Sequence, residues 1–366
     1  MEKFVVSRVP KSEAPGPLVG LVSEEMPFLG VQIMRRIGIL VVQVTALVIS
    51  FSVLAQKNEI PRLQEGVLLV RTYLPDNVLL TTKDKTIALP DMLRHAFLSI
   101  SSDGNIIGVV RNISSDSSQS PKHIISTYSV KSGIVTDYLE IHGFMGGFWG
   151  VSEVSPDGSK MAYVTRDART DSSGAHLSLR VLDFETRIVS VITNPRGEVR
   201  EISWSPDGRR IAFDMEPPGH SGLSHSSEIR TVDIVDIGSG AVSEIGLGGT
   251  PSWSPSGEWI AYVGYVPANR ENSQLWSSYA GRYYAIDHFE LRLMSTVGTH
   301  SRLLMRLHDG PNFKPIWSPD SQTLLLNQLR DADKATFDIY LVDLTTGKAT
   351  KKFKDVAPVY GWVDAK

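Results

Sequence analysis

The sequence contains no cysteine and no excess of basic charge, and both absences restrict its function. Without cysteine the chain has no disulfide bond, thiol nucleophile, Cys-ligated zinc or iron–sulfur cluster. Its 37 Lys and Arg residues are outnumbered by 40 Asp and Glu residues, which gives a formal net charge of −3. No basic field attracts the phosphates of a nucleic acid, so we predict no DNA or RNA partner.

Long apolar runs are also scarce, and the one that stands out covers residues 37–55. These 19 residues carry no charge and match the length that crosses a bilayer core of about 30 Å as a helix. Arg35 and Arg36 precede the run, so we expect the N-terminus to stay in the cytoplasm and the remainder to be exported. Two interpretations stay open, a signal peptide starting at Met34 and cleaved after Ala55, and a single-pass anchor. A buried core helix is a third alternative.

One short phrase recurs five times in the rest of the chain. The copies read SISSDGNIIGVV at 99–110, EVSPDGSKMAYV at 153–164, SWSPDGRRIAFD at 203–214, SWSPSGEWIAYV at 252–263 and IWSPDSQTLLLN at 316–327. Successive copies are 54, 50, 49 and 64 residues apart. Self-similarity at a nearly fixed period of this length is the signature of a repeat architecture.

Each copy predicts a β-hairpin. In the third copy, Trp204 ends a strand and Ser-Pro-Asp-Gly at 205–208 forms the turn, since Pro sets φ, Asp bonds its own backbone and Gly accepts a positive φ. Farther along each unit comes a second hairpin, for example 339–344 followed by Thr-Thr-Gly-Lys at 345–348. Two hairpins give four strands per unit of about 50 residues, which is typical of a β-propeller blade.

The length of the repeat region predicts the number of blades. Residues 67–366 provide 300 residues, or six units of 50. Strands predicted at 67–82 and at 357–362 can combine into the sixth blade, so that the last strand closes the ring onto the first. We therefore expect an all-β, six-bladed propeller preceded by one N-terminal hydrophobic helix, and counts of five and seven blades stay open.

These phrases resemble a known family. WSPDGRRIAF at 204–213, PSWSP at 251–255 and DLTTG at 343–347 are similar to the WD40-like propeller repeat of the TolB family, which also occurs in prolyl-oligopeptidase-like peptidases. The resemblance covers residues 67–366. It implies a six-bladed propeller, often periplasmic, that serves as a protein-binding platform. Only residues 56–65 separate the hydrophobic run from the first predicted strand, so we expect a propeller without the α/β domain that precedes it in TolB.

The resulting domain organisation has four segments. Residues 1–36 form a disordered tail or a non-native upstream extension, 37–55 the signal peptide or transmembrane anchor, 56–66 a linker, and 67–366 the TolB-like propeller. Contact with a membrane is expected only through residues 37–55.

Motifs of catalysis are missing from the sequence. No Gly-x-Ser-x-Gly elbow, phosphate-binding loop, dinucleotide fingerprint or His-Glu-x-x-His motif occurs, so we predict no catalytic residue and no cofactor. His220 and His225 form a weak candidate metal pair in a Gly- and Ser-containing loop. A solvated loop explains them better, because no third ligand follows at a fixed spacing.

The residues that repeat are interpreted as structural. Aspartate in a tight turn bonds the turn's own backbone, and tryptophan at the end of an inner strand fills the core between blades. This interpretation covers Asp103, Asp157, Asp207, Asp320, Trp204, Trp253 and Trp317.

The departure from the repeat points to a binding surface. The unit between 256 and 320 is longer than its neighbours, and we expect the excess, residues 265–287, to form a loop between the second and third strands of its blade. Loops at 165–176 and 216–227 should emerge at the same end of the propeller. Aromatic and arginine side chains dominate binding hot spots. The candidate partner-binding residues are Arg270, Trp276, Tyr279, Arg282, Tyr283 and Tyr284.

The sequence thus predicts an exported, non-enzymatic propeller, periplasmic or extracellular, that binds a protein or peptide partner in the cell envelope. Two alternatives stay open. The first is a hydrolase or lyase that acts on a glycan or small molecule at the channel mouth, and the second is an anchored structural subunit of an envelope complex. Catalysis would require several perturbed titratable groups in one pocket, whereas partner binding requires only an aromatic cluster.

Overall fold

The computed structural model describes most of the chain from residue 60 to residue 364. The described ranges are 60–73, 76–114, 121–143, 151–171, 174–195, 199–215, 230–267, 276–279, 282–296, 300–307, 314–331 and 336–364. All of them belong to one unit, Asn58–Lys366. No helix within these ranges has the length and apolar character to cross a bilayer. The predicted tail and the apolar run at 37–55 lie outside the described residues, so the interpretations of both stay predictions.

The regular elements of the described residues are β-strands, apart from one short 3-10 helix at Asp91–Leu93. The strands, in chain order, are β1 (Val67–Tyr73), β2 (Asp76–Thr81), β3 (Thr86–Ala88), β4 (Phe97–Ile100), β5 (Ile106–Asn112), β6 (Lys122–Ser129), β7 (Val135–His142), β8 (Ser152–Val154), β9 (Lys160–Asp171), β10 (Gly174–Asp183), β11 (Val189–Thr193), β12 (Val199–Trp204), β13 (Arg210–Met215), β14 (Thr231–Asp236), β15 (Val242–Trp253), β16 (Trp259–Pro267), β17 (Trp276–Tyr279), β18 (Arg282–Ser295), β19 (Ser301–Leu307), β20 (Ile316–Trp317), β21 (Thr323–Asp331), β22 (Thr336–Asp343), β23 (Ala349–Val356) and β24 (Val359–Val363).

Antiparallel pairing joins these strands into meanders. Four sheets have four strands each, in the orders β24-β1-β2-β3, β4-β5-β6-β7, β8-β9-β10-β11 and β20-β21-β22-β23. The remaining strands, β12 to β19, belong to one eight-stranded sheet. Strand β15 is shared within it, because its residues 242–247 pair with β14 and its residues 248–253 pair with β16.

The innermost strands contact one another in a closed cycle. Following the chain, β4 contacts β8, β8 contacts β12, β12 contacts β15, β15 contacts β20, β20 contacts β24, and β24 contacts β4. Buried apolar side chains fill the space between neighbouring groups of strands; Val164 and Leu179, for example, belong to the same cluster as Ile202 and Phe213. The result is a β-propeller-like arrangement, as the repeat predicts.

The ring closes where the two ends of the described chain meet. Strand β24 pairs with β1, with Val67 opposite Val363 and Leu69 opposite Gly361, as predicted from the sequence. Asn327 of β21 adds a second link. Its side-chain Nδ2 donates to the carbonyl oxygen of Val359 at 2.8 Å, and its Oδ1 accepts from the Val359 amide at 2.9 Å.

The repeated turn is held by its own serine and aspartate. Ser205 Oγ donates to Asp207 Oδ1 at 2.6 Å, and Asp207 Oδ1 accepts from the amide of Arg209 at 3.1 Å. These hydrogen bonds lower the pKa of Asp207. Gly208 takes the positive φ of 67° that the turn requires, and in the fifth copy Ser321 takes φ 60° at the same place. The structural interpretation of the repeated aspartates therefore agrees with their contacts.

Removing the Asn327 link tests the closure. Asn327→Leu keeps the side-chain size but deprives the buried amide and carbonyl of Val359 of their partners, and each unsatisfied buried group costs about 1–3 kcal/mol. We expect urea denaturation of the full chain to show a loss of roughly 2–4 kcal/mol in the free energy of unfolding. Asn112→Leu, at an exposed strand end, should lose less than about 1 kcal/mol. Equal losses in both variants would contradict the role of the link.

Candidate functional site

The residues expected to form a binding loop belong in part to a hairpin. Strand β17 pairs with the first residues of β18, with Trp276 opposite Ala285 and Tyr279 opposite Arg282. The prediction of an irregular loop over 265–287 was therefore wrong for this stretch. Trp and Tyr residues on both sides of Gly281 favour paired strands, which also satisfy the backbone hydrogen bonds that a long loop would leave open.

The individual candidate residues stand as follows. Trp276 and Tyr279 belong to β17, and Arg282, Tyr283 and Tyr284 belong to β18; the structure describes the backbone of these five. Arg270 lies outside the described residues, as do the candidate metal ligands His220 and His225. The partner-binding role of Arg270 and of the five hairpin residues therefore stays a prediction.

A histidine lies close to this hairpin in β18, flanked by carboxylates. His288 Nδ1 is 2.7 Å from Asp287 Oδ2, and His288 Nε2 is 3.0 Å from Glu290 Oε1. Arg292 Nε donates to the other Glu290 oxygen at 2.8 Å. Hydrogen bonds that the His288 ring can donate to the carboxylates of Asp287 and Glu290 raise the pKa of His288 above its ordinary value. At the base of the hairpin, acidic and basic side chains thus alternate along β18 and contact one another.

A second feature was not foreseen from the sequence, a group of charged side chains where the inner strands meet. We call Glu153, Glu201, Asp214, Arg230 and Lys314 the central charged cluster. Glu153 lies in β8, Glu201 in β12 and Asp214 in β13, whereas Arg230 and Lys314 immediately precede β14 and β20.

Lys314 spans the middle of the ring of inner strands. Its Nζ donates to Glu153 Oε1 at 2.9 Å and to the carbonyl oxygen of Ile202 at 2.8 Å. The neighbours of β20 in the ring are β15 and β24, so these acceptors in β8 and β12 belong to strands on the other side. The side chains of Lys314 and Glu153 each keep 23% of their surface exposed. The ion pair is therefore reachable by solvent although it lies inside the ring.

Asp214 is the most enclosed member of the cluster. Its Oδ1 accepts from the amides of Arg200 and Glu201 and from Arg230 Nη2, at 2.9–3.0 Å. Its Oδ2 accepts from the amide of Thr250 at 3.1 Å. Only 2% of its side chain and 3% of the Arg230 side chain are exposed. One carboxylate therefore joins β12, β15 and the start of β14.

The backbone beside Asp214 is strained. Thr250 has φ 52°, a left-handed conformation that a β-branched residue rarely adopts and that costs on the order of 1–3 kcal/mol. Its side-chain Oγ1 is buried without a hydrogen-bond partner in the described structure. The preceding residue must be glycine, because a Cβ on Gly249 would lie 3.0 Å from Asp214 Oδ2 and 2.9 Å from Tyr265 Oη. Such strain is common where a chain builds a functional site.

Burial raises the pKa of Glu201 to about 7. The neighbouring carboxylates of Asp214 and Glu153 act in the same direction, whereas the positive charges of Lys314 and Arg230 oppose it. Burial also raises the pKa of Glu153 against the opposing effect of Lys314. A carboxyl group that titrates near neutrality can gain or lose a proton in solution, so it can serve as an acid, a base or a charge-dependent ligand.

No group of three or more His, Asp or Glu side chains in the part of the chain that the structure describes is arranged to hold a metal ion.

The sequence contains one signal for the charged cluster, which appears only when the repeats are compared position by position. Nine residues after the turn serine, three copies have Val110, Val164 and Val263, whereas the others have Asp214 and Asn327. Both polar residues at this position hydrogen-bond to an inner strand.

Replacing Asp214 should destabilise the fold strongly. Asp214→Asn removes the carboxylate charge that pairs with buried Arg230, and breaking a buried ion pair costs about 3–5 kcal/mol. Urea denaturation of the full chain measures the loss. Asp84→Asn, which removes an exposed carboxylate between β2 and β3, should have a much smaller effect. A small effect of both variants would show that the buried pair contributes little.

The pH dependence of stability reports on Glu201. Its folded pKa of about 7 exceeds its ordinary value of 4.5, so between these values the folded chain binds more protons and loses stability as pH rises. Glu201→Gln cannot titrate. We expect the stability of Glu201→Gln relative to wild type to increase by roughly 2–3 kcal/mol from pH 5 to pH 8 in urea denaturation. Exposed Glu185→Gln should show no such trend, and a constant difference for Glu201→Gln would refute the raised pKa.

Comparisons with known proteins bear on the fold. No protein-family model matches the chain. The Tol-Pal system protein TolB of Alcanivorax borkumensis is 28% identical over 125 residues, which are 34% of this chain and 25% of that protein. The crystal structure of TolB from Acinetobacter baumannii superposes with a TM-score of 0.54 at 15% identity, over 82% of this chain and 66% of that one.

An enzyme shares the architecture to a similar extent. An oligogalacturonate lyase in complex with manganese superposes with a TM-score of 0.51 at 12% identity, over 75% of this chain and 70% of the lyase. Identities this low show the fold alone, and a fold hosts many unrelated functions. The aligned part spans a quarter of the length of the curated TolB. In sequence and in fold, the chain resembles the TolB-type β-propellers.

Proposed function

We propose that this chain is an exported, six-bladed propeller that binds a protein or peptide partner at one end of the ring. The blade count is supported by six groups of four strands, once β15 is divided between its two partners, β14 and β16, and β17 is counted as an addition to its blade. The cycle of six contacting inner strands supports it as well. Export is supported by the apolar run at 37–55 and by the resemblance to TolB, and the cleaved and anchored forms would differ in mature mass.

The observation that carries the proposal is the hairpin of β17 and β18. Residues 282–285 of β18 continue beyond the end of its pairing with β16 and pair with β17 instead. Within the described residues, β17 has no strand on its other side. An unpaired strand edge is a ready template for an extended segment of another chain, with backbone hydrogen bonds giving affinity and side chains giving specificity.

The hairpin and the central charged cluster open toward the same end. Neighbouring strands of a meander run in opposite directions, so connections between second and third strands share one end with the links between sheets. The hairpin belongs to the first kind of connection, and Lys314 lies on a link, just before β20. A partner that docks on the hairpin would therefore also lie over the mouth of the ring.

An enzyme is the second candidate, a hydrolase or lyase acting on a glycan or small molecule. Glu201, with a pKa of about 7, favours it, because Glu153 and Lys314 converge on the same place and such convergence is common in active sites. The hairpin favours the binding platform, because catalysis at the ring centre gives no reason for an extended strand edge beyond the sheet. We therefore place binding first.

Trimming the hairpin tests the platform. Residues 268–285 of the full chain would be replaced by a short Asn-Gly turn that joins Pro267 to Ile286, which are already paired. We expect the wild-type bait to cross-link one envelope protein that the trimmed bait does not, and the purified partner to rebind in the same manner, because the strand edge of β17 is gone.

The control carries Lys131→Ala and Glu185→Ala, two exposed turn residues at the opposite end of the propeller, and should capture the same partner as wild type. Thermal unfolding of all baits checks that the trimmed chain is folded. Trp276→Ala with Tyr279→Ala provides a second, milder test of the same edge. Equal capture by the trimmed bait, or no partner with any bait, would reject the platform and favour the enzyme.

A further inference from the structure

The central charged cluster has hydrogen-bond acceptors left over. Glu153 uses Oε1 for Lys314, but its Oε2 is buried and has no hydrogen-bond partner in the described structure. Thr250 Oγ1 is also buried without a hydrogen-bond partner in the described structure, and the Thr250 amide bonds to Asp214. Buried polar atoms are nearly always paired, and an unpaired one in a native structure calls for an explanation such as a water or a ligand.

The charges of the cluster do not balance once Glu201 is ionised. Three carboxylates, those of Glu153, Glu201 and Asp214, then accompany two cations, Arg230 and Lys314. Asp214 is already satisfied by four donors. The remaining negative charge is therefore shared by Glu153 and Glu201, and the high pKa of Glu201 reflects the cost of placing a further charge there.

The cluster can be reached from outside. Glu153 and Lys314 keep 23% of their side-chain surface exposed, and Glu201 is only partly buried. Lys314 precedes β20, at the end of the ring where the links between sheets run. Glu153 and Lys314 are therefore open to a ligand, whereas Asp214 and Arg230 are 2% and 3% exposed and closed to one.

We propose that Glu153 and Glu201 bind an organic cation, the guanidinium or ammonium group of a ligand that enters the ring beside Lys314. A group with several N–H donors satisfies the free oxygen of Glu153 and the carboxyl of Glu201 together and cancels the excess negative charge. A bare metal ion fits poorly, because Lys314 already occupies one Glu153 oxygen and Asp214 has no coordination position left. The site stands on these contacts and does not depend on the hairpin.

Binding of such a cation is coupled to a proton. Lys314, Arg230, Asp214 and Glu153 are the charged groups that act on Glu201. A further positive charge beside Glu201 favours its ionised form and lowers its pKa, so the complex releases a proton when it forms near neutral pH. Affinity for the cation should therefore rise with pH across the neutral range.

Matched pairs of small probes test the site on the full chain. Isothermal titration calorimetry would compare n-butylguanidinium with its neutral isostere n-butylurea, and n-butylammonium with n-butanol, at pH 6 and pH 8 in buffers of different ionisation enthalpy. We expect one or both cations to bind about five- to tenfold more tightly at pH 8 than at pH 6, with proton release, and the neutral isosteres to bind at least tenfold more weakly.

Variants identify the groups responsible. Glu201→Gln should abolish both the proton release and the pH dependence and weaken cation binding, whereas exposed Glu185→Gln should behave as wild type. Glu153→Gln, which keeps the side-chain shape, should weaken binding at both pH values, and thermal unfolding verifies that each variant is folded. Absence of cation binding, equal binding of the neutral isosteres, or an unchanged pH dependence in Glu201→Gln would each overturn the proposal. A hairpin-trimmed chain that still binds the probes separates this site from the partner surface.

Discussion

The structure depends on how the innermost strands satisfy backbone groups that no further strand can pair. An inner strand has a hydrogen-bonded neighbour on one side only, and its other edge faces the centre of the ring. Side chains of neighbouring inner strands fill part of this gap. Ser99 Oγ accepts from the amide of Val154, Ser203 Oγ from that of Trp253, and Trp317 Nε1 donates to the carbonyl of Ser252. These bonds connect consecutive sheets and fix their order around the ring.

In the charged cluster, charged side chains instead of serine and tryptophan bond the unpaired backbone groups of the inner strands. Asp214 takes up two amides of β12 and one of β15, and Lys314 donates to a carbonyl of β12. Charged groups bond the backbone more strongly than serine does, but they bring a desolvation cost that only full pairing offsets. Asp214 and Arg230 reach that pairing. Glu153 pairs with Lys314 through one oxygen only, and its other oxygen is buried without a hydrogen-bond partner in the described structure.

The sequence predicts features that depend on neighbouring residues, but it does not predict contacts between distant residues. The turn at 205–208 could be predicted because Ser, Pro, Asp and Gly each act within a few residues, and ring closure followed from the count of strands. The hairpin of β17 and β18 was mistaken for a loop because its length hid the pairing. The contact of Lys314 with Glu153 joins residues 161 positions apart, and no local pattern records which inner strands face each other across a ring.

The two uses considered for this ring make different demands on Glu201. A general acid or base must exchange its proton during each turnover, so its pKa has to stay near neutrality while the substrate is bound. A binding carboxylate is improved by losing the proton permanently once a cation arrives, because ionisation strengthens the hydrogen bonds it accepts. Two oxygens near Glu201, Glu153 Oε2 and Thr250 Oγ1, are buried without a hydrogen-bond partner in the described structure. The pKa of Glu201 is raised by burial and by the neighbouring carboxylates, and a cation that binds beside it would relieve the second of these effects.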